Sequence, residues 1–143
     1  PAASLPAAAA CAAAPGAAFI PLTKRGVNES FWVITATTSS GAISSDIALA
    51  ARSTATVIIL MGVSQLKNIA SLFKNLRSPY EPVAVIQDAT LPGQRVVIGT
   101  ATDIYDRAQE AGIESPAVIV IGKVVSESSV ANLFLAGKNG INC

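Results

Sequence analysis

The run ATVIILM, residues 55–61, decides the fold. It is apolar without interruption, with no polar alternation, as expected of a strand covered on both faces. At seven residues it is far shorter than the ~20 needed to cross a bilayer. Immediately after it, Met61-Gly62-Val63 makes a turn. Ser64 is then placed to cap a helix whose Leu66, Ile69, Leu72, Phe73 and Leu76 recur at three- and four-residue spacing. Strand, tight turn and amphipathic helix together describe a sheet packed by helices.

The same grammar continues outward on both sides. Upstream, SFWVITA (30–36) is β-branched and aromatic and reads as a strand. Ser44 or Ser45 caps a short helix over 46–52, with Ile47, Ala50 and Ala51 on one side. Downstream, PVAVIQ (82–87) is a strand and QRVVIGT (94–100) its hairpin-like partner. Thr102 or Asp103 opens a helix with Ile104, Ala108 and Ala111 inward, and Gly112 ends it. AVIVI (117–121) is the last buried strand. The expected class is α/β: a mixed sheet flanked by helices, one domain over 20–125.

Composition agrees. Residues of the AVILMFWYC group make up 51% of the 143 and charged residues 13%, a buried-sheet balance rather than that of a disordered chain. The formal charge is +1 with Lys and Arg scattered, so the basic footprint of a nucleic-acid binder is missing and no membrane span is expected. The sequence holds no histidine, which excludes Ser-His and Cys-His nucleophilic systems. No metal site is expected. Cys11 and Cys143 sit near opposite ends, and reduced thiols in a cytoplasmic protein are the expectation.

The segments at the two ends read differently. Eleven of residues 1–19 are alanine, interrupted by Pro1, Pro6 and Pro15. Two readings stay open: an Ala-rich linker, with a short helix between Pro6 and Pro15, or a stretch in which alanine stands for side chains never assigned. Residues 126–143 form a tail whose Val130 to Ala136 stretch either docks as a helix or stays free.

Ligand sites in α/β sheets favour the loops beyond the carboxyl ends of strands. Three such loops are rich in small residues: Met61-Gly62-Val63, Gln87-Asp88-Ala89-Thr90 and Gly99-Thr100. Small residues let a ligand approach the main chain, whose N–H and C=O groups can read an adenine edge or a ribose.

Five phrases occur in the order and spacing of a known family: IPLTKRGV (20–27), VITATTSSG (33–41), VIILMGVSQL (57–66), PVAVIQDATLPGQRVVIGT (82–100) and SPAVIVIGKVV (115–125). Together they resemble the second half of uroporphyrinogen-III C-methyltransferases, within the tetrapyrrole methylases. The resemblance implies S-adenosylmethionine as co-substrate and methylation of uroporphyrinogen III to precorrin-2, on the way to siroheme or cobalamin. Another precorrin-type methyltransferase is the alternative, and a non-catalytic dimerisation or regulatory module a further one, using the apolar 57–63 strand as a partner surface. It also implies a cytoplasmic homodimer.

Site residues follow by the same resemblance. Met61 and Gly62 match a Met-Gly turn lying against the co-substrate. Ala89 matches the Gly of an Asn-Gly-Thr turn, here Asp88-Ala89-Thr90; a positive φ at that position would disfavour alanine by roughly 1 kcal/mol. Ala117 resembles a backbone contact to the adenosine. Ala9 and Ala10 match contacts of a Pro-Gly-x-Ser/Thr loop whose Gly and hydroxyl positions are here Ala7 and Ala9. Arg25, with Arg95 as second candidate, is placed to pair with a carboxylate of the tetrapyrrole. No catalytic residue can be named. The family's Gly-Asp-Pro element of its first half does not occur here, so the expectation is a carboxy-terminal part, inactive without the amino-terminal domain. From the residues alone, the preferred reading of Met61 is a gap-filling core side chain.

Overall fold

The computed structural model describes residues 20–89 and 91–127. The expectations for residues 1–19, including Cys11, Ala9 and Ala10, for Thr90, and for residues 128–143, including Cys143, lie outside the described residues. The elements run β1 (Phe31–Thr35), α1 (Ser45–Ala51), β2 (Thr56–Leu60), α2 (Leu66–Leu76), β3 (Pro82–Gln87), β4 (Arg95–Thr100), α3 (Ile104–Ala111) and β5 (Ala117–Ile121). Short 3-10 turns at Val63–Gln65 and Lys123–Glu127 complete them.

The five strands form one sheet in the order β1-β2-β5-β3-β4. β1 and β2 are parallel; β5 is antiparallel to both β2 and β3, and β3 is antiparallel to β4. The mixed α/β class read from the sequence is therefore the class observed. β5, the last strand among the described residues, is inserted at the centre of the sheet.

Period-two alternation sends side chains to two cores. On one face Val57, Ile59, Val83, Val85, Ile119 and Ile121 pack with Ile47 of α1, Ile69 and Phe73 of α2, and Ile104 of α3. On the other, Ala84, Ile86 and Val120 pack with Ile20, Val124 and Val125. All three helices thus lie on one face; the other is covered by the chain around Ile20 and the turn after β5. Residues 56–59 of β2 are fully buried, each large side chain contributing about 1.5–3 kcal/mol. That burial takes residues 57–59 out of the partner surface read from the 57–63 run, in which Met61 is the exposed residue.

Helix ends show which local rules won. Ser44, not Ser45, caps α1: its Oγ accepts the Asp46 N–H at 3.3 Å. Ser64 does not cap α2. The chain leaves β2 through a 3-10 turn, in which the Gly62 carbonyl accepts the Gln65 N–H at 3.0 Å, and α2 starts at Leu66. The Asp103 carboxylate reaches back to the Thr100 N–H at 2.7 Å and makes no capping bond to a backbone N–H of α3. Burial pushes that carboxyl up, but the Thr100 bond and the Arg107 guanidinium at 2.9 Å outweigh it and hold it below its ordinary value. Gly112 ends α3 in the left-handed conformation with φ 68°, as its position suggested. Ala111 is only half-buried.

One side chain unremarked in the sequence ties several elements together. Arg77 is 9% exposed and pairs with Glu81, 7% exposed, at 2.8 Å. The same guanidinium donates to the carbonyls of Ala50, Ala51 and Ala55. It satisfies the carboxyl end of α1, the entry to β2 and the approach to β3 at once, so a buried charge is fully partnered.

Candidate functional site

The topology decides which loops can meet. β1, β2 and β3 run in the same direction, so their carboxyl ends share one edge of the sheet, and antiparallel β5 enters at that edge. Leu60 pairs with Val118 and Gln87 with Ala117. Met61, the next residue after Leu60, therefore stands at the level of Ala117. The Ala36 N–H donates to the Leu60 carbonyl at 2.9 Å and brings the exit of β1 alongside.

A cleft of about 410 Å³ opens here, within the usual few-hundred-Å³ range of small-ligand sites. Thr37 lines it from the exit of β1, Met61, Val63 and Ser64 from the exit of β2, and Ser115, Pro116 and Ala117 from the entry of β5. No charged side chain is among them. The three hydroxyls and the adjoining main chain offer hydrogen bonds without charge, which suits a neutral polar ligand such as a nucleoside better than a phosphate.

Backbone strain gathers at the same edge. Among the described residues the non-glycine positions with positive φ are Met61 (56°) and Asp88 (50°), the first residues after β2 and β3. Such conformations cost of order 1 kcal/mol and cluster at ligand sites. Met61 is 73% exposed, which excludes the gap-filling core role. Gly62 is buried directly behind it at an ordinary φ of −111°. Its glycine identity answers to space: a Cβ there would meet Ile59 Cγ2 at 2.8 Å, Ile119 Cδ1 at 3.1 Å and Ala36 Cβ at 3.2 Å. The missing side chain lets the Met61 turn settle onto the core.

The remaining expected residues are placed as follows. Ala89 lies just past β3 at the same edge but packs against the second core, with Ala84 and Ile86, and does not line the cleft. The positive φ of its turn falls on Asp88, so the methyl group of Ala89 meets no backbone penalty. Gly99 and Thr100 end β4, which runs against β3, so that loop sits at the opposite edge from Met61, contrary to the sequence expectation.

Arg25 is not brought to the cleft either. It lies in an exposed turn pinned at the amino end of β2, where the buried Asn28 donates to Thr56 Oγ1 at 2.5 Å; its neighbour Lys24 pairs with Glu127 at 2.7 Å. Arg95 donates to the Ala111 carbonyl and lines a separate cleft with Arg107 and Glu110. Sequence reasoning passed over Thr37, Ser64, Ser115 and Pro116, whose common signal is only adjacency to a strand end. Among the described residues no group of three or more His, Cys, Asp or Glu gathers as a metal set, and no helix is long and apolar enough to cross a membrane.

Comparison with known proteins places the chain among relatives of one kind. The chain is 38% identical over 116 residues to the uroporphyrinogen-III C-methyltransferase of Methanocaldococcus jannaschii, covering 80% of this chain and 48% of that relative. It superposes on the crystal structure of uroporphyrin-III C-methyl transferase from Thermus thermophilus complexed with S-adenyl homocysteine, with a TM-score of 0.63 and 30% identity over 76% of this chain and 48% of that one. A cobalt precorrin-4 methyltransferase shares the fold, with a TM-score of 0.73 at 24% identity, over 81% of this chain and 49% of that one. The chain thus spans about half the length of these proteins. The model of the tetrapyrrole (corrin/porphyrin) methylases matches residues 1–105, most of the sequence, and the chain belongs to that family.

Proposed function

We propose that this chain supplies one wall of the S-adenosylmethionine site of a methyltransferase that converts uroporphyrinogen III to precorrin-2, feeding siroheme or cobalamin formation. The observation that carries the reading is the uncharged cleft between the exposed, positive-φ Met61 and Ala117. Its residues fit the group. The Gly62 contacts let the main chain come close, Ala117 adds little bulk, and Thr37, Ser64 and Ser115 offer hydroxyls.

When bound, S-adenosylmethionine supplies a methyl group already activated on a sulfonium. Transfer to an electron-rich pyrrole carbon then depends on alignment, which can be worth roughly 7–11 kcal/mol of barrier. In this account Met61 and Ala117 grip the nucleoside from two sides. The hydroxyls orient it, and the apolar face of Val63 and Pro116 excludes water. The opposing wall and the tetrapyrrole-binding groups would come from an amino-terminal half, as the half-length coverage of the relatives suggests. A homodimer in the cytoplasm belongs to the same reading and rests on the resemblance. A precorrin as the methyl acceptor is the second reading, favoured by the fold likeness to the cobalt precorrin-4 enzyme.

Irradiating the chain with S-adenosylmethionine tritiated at its methyl group, then sequencing the labelled peptides, tests the proposal. Label on the peptides bearing Met61 or Ala117, competed by S-adenosylhomocysteine but not by ATP, is expected. Label scattered over the surface, or none, would count against it.

A further inference from the structure

The cleft wall runs through Ser115 and Pro116, which are exposed, into Ala117, the buried first residue of β5, and exposed backbone held only by its own bonds competes poorly with water. One side chain reaches across to it. Gln87, the last residue of β3, is paired through its backbone with Ala117 on one side and Arg95 on the other. Its Oε1 accepts the Glu114 N–H at 2.8 Å, and its Nε2 donates to Asp88 Oδ2 at 3.4 Å. The Asp88 N–H in turn donates to the Pro116 carbonyl at 3.2 Å, and the Asp88 carbonyl accepts the Leu91 N–H at 3.0 Å. The approach to β5 is therefore tied to the exit of β3 on both sides of Ser115, by the Gln87 side chain holding the Glu114 N–H and by the Asp88 N–H holding the Pro116 carbonyl.

We propose that Gln87 is a positioning residue, whose amide fixes the Ser115–Ala117 wall and so sets the width of the ligand cleft. The inference rests on reading that cleft as a nucleoside site. A carboxamide suits the task because it offers an acceptor to Glu114 and a donor to Asp88 at the same time. It also steadies Asp88 in its φ of 50°, where no glycine relieves the backbone. Gln87 does not line the cleft, so its effect on a ligand passes through the wall.

The test uses the whole chain with the variants Gln87→Ala and Gln87→Glu, and reads two signals by NMR. The first is hydrogen exchange at the Glu114 amide without ligand. The second is the shift of the Ala117 amide during titration with S-adenosylhomocysteine. Gln87→Ala is expected to speed exchange at Glu114 roughly three- to tenfold, the worth of one neutral hydrogen bond, and to weaken ligand binding by a similar factor. Gln87→Glu keeps the acceptor for the Glu114 N–H but loses the donor to Asp88 and sets two carboxylates together, so both readouts are expected to fall between those of Gln87→Ala and the starting protein. Unchanged exchange in Gln87→Ala overturns the proposal, as does faster exchange with unaltered affinity, the outcome of a merely structural bond. If the Ala117 amide of the unmodified chain ignores the ligand, the nucleoside reading itself fails and takes this proposal with it. The unmodified-chain titration tells that failure apart from failure of the Gln87 tie.

Discussion

At the level of single residues, the turn after β2 joins conformational strain to an exposed side chain. Met61 holds φ 56° while 73% exposed, so burial does not repay the strain. Replacement Met61→Gly is predicted to leave stability unchanged or raise it by up to about 1 kcal/mol, because glycine carries no left-handed penalty. The same change should weaken nucleoside binding; urea titration and a ligand titration read the two effects separately. Gly62→Ala acts in the opposite sense. A Cβ pressed against Ile59, Ile119 and Ala36 should cost about 1–3 kcal/mol, the usual price of overpacking, seen as a lower urea midpoint. Arg77→Met strands Glu81 and leaves three carbonyls without their guanidinium, for a predicted loss of about 3–5 kcal/mol. Asp103 gives a pH signature. Its carboxyl is held below the ordinary value, so its contribution is present above the usual carboxylate range and fades as pH falls through the lowered one. Asp103→Asn should therefore flatten the acid limb of the stability profile measured by urea midpoints between pH 7 and pH 3. The effect is modest because the pair is partly exposed and salt-screened.

At the level of elements, periodicity carried most of the reading. The apolar runs 55–61, 82–87 and 117–121 contain β2, β3 and β5, and the spacing of Leu66, Ile69 and Phe73 foretold the buried side of α2. Helix starts were less legible. Ser64 has the chemistry of a cap, yet the tight exit past Gly62 imposes a 3-10 turn first, so tertiary packing overrode local preference. Strand direction was not legible at all. Gly99-Thr100 looks in sequence like a carboxyl-end loop, and only the antiparallel pairing of β4 with β3 sends it to the far edge. Arg25 is kept from the cleft for a related reason: its turn is committed by the Asn28 to Thr56 bond, a contact between residues 28 positions apart. Met61 and Ala117, named by resemblance, line one cleft together although 56 positions separate them in the sequence.

At the level of the whole molecule, the order β1-β2-β5-β3-β4 places a late strand between two early ones. That insertion is what sets Ala117 beside Met61 and creates the cleft. Among the described residues α1, α2 and α3 pack on one face, and at the edge strand the alternation turns Phe31 and Val33, 45% and 41% exposed, toward the other. A cleft with one wall holds a ligand weakly, since fewer contacts offset the lost freedom of binding. NMR titration with S-adenosylhomocysteine measures this directly. The account predicts saturable shifts centred on Met61, Gly62 and Ala117, with Kd of about 1 mM or weaker for the chain alone. Shifts confined to the Arg95–Glu110 cleft, or no response at Met61 and Ala117 at roughly ten times that concentration, would contradict it.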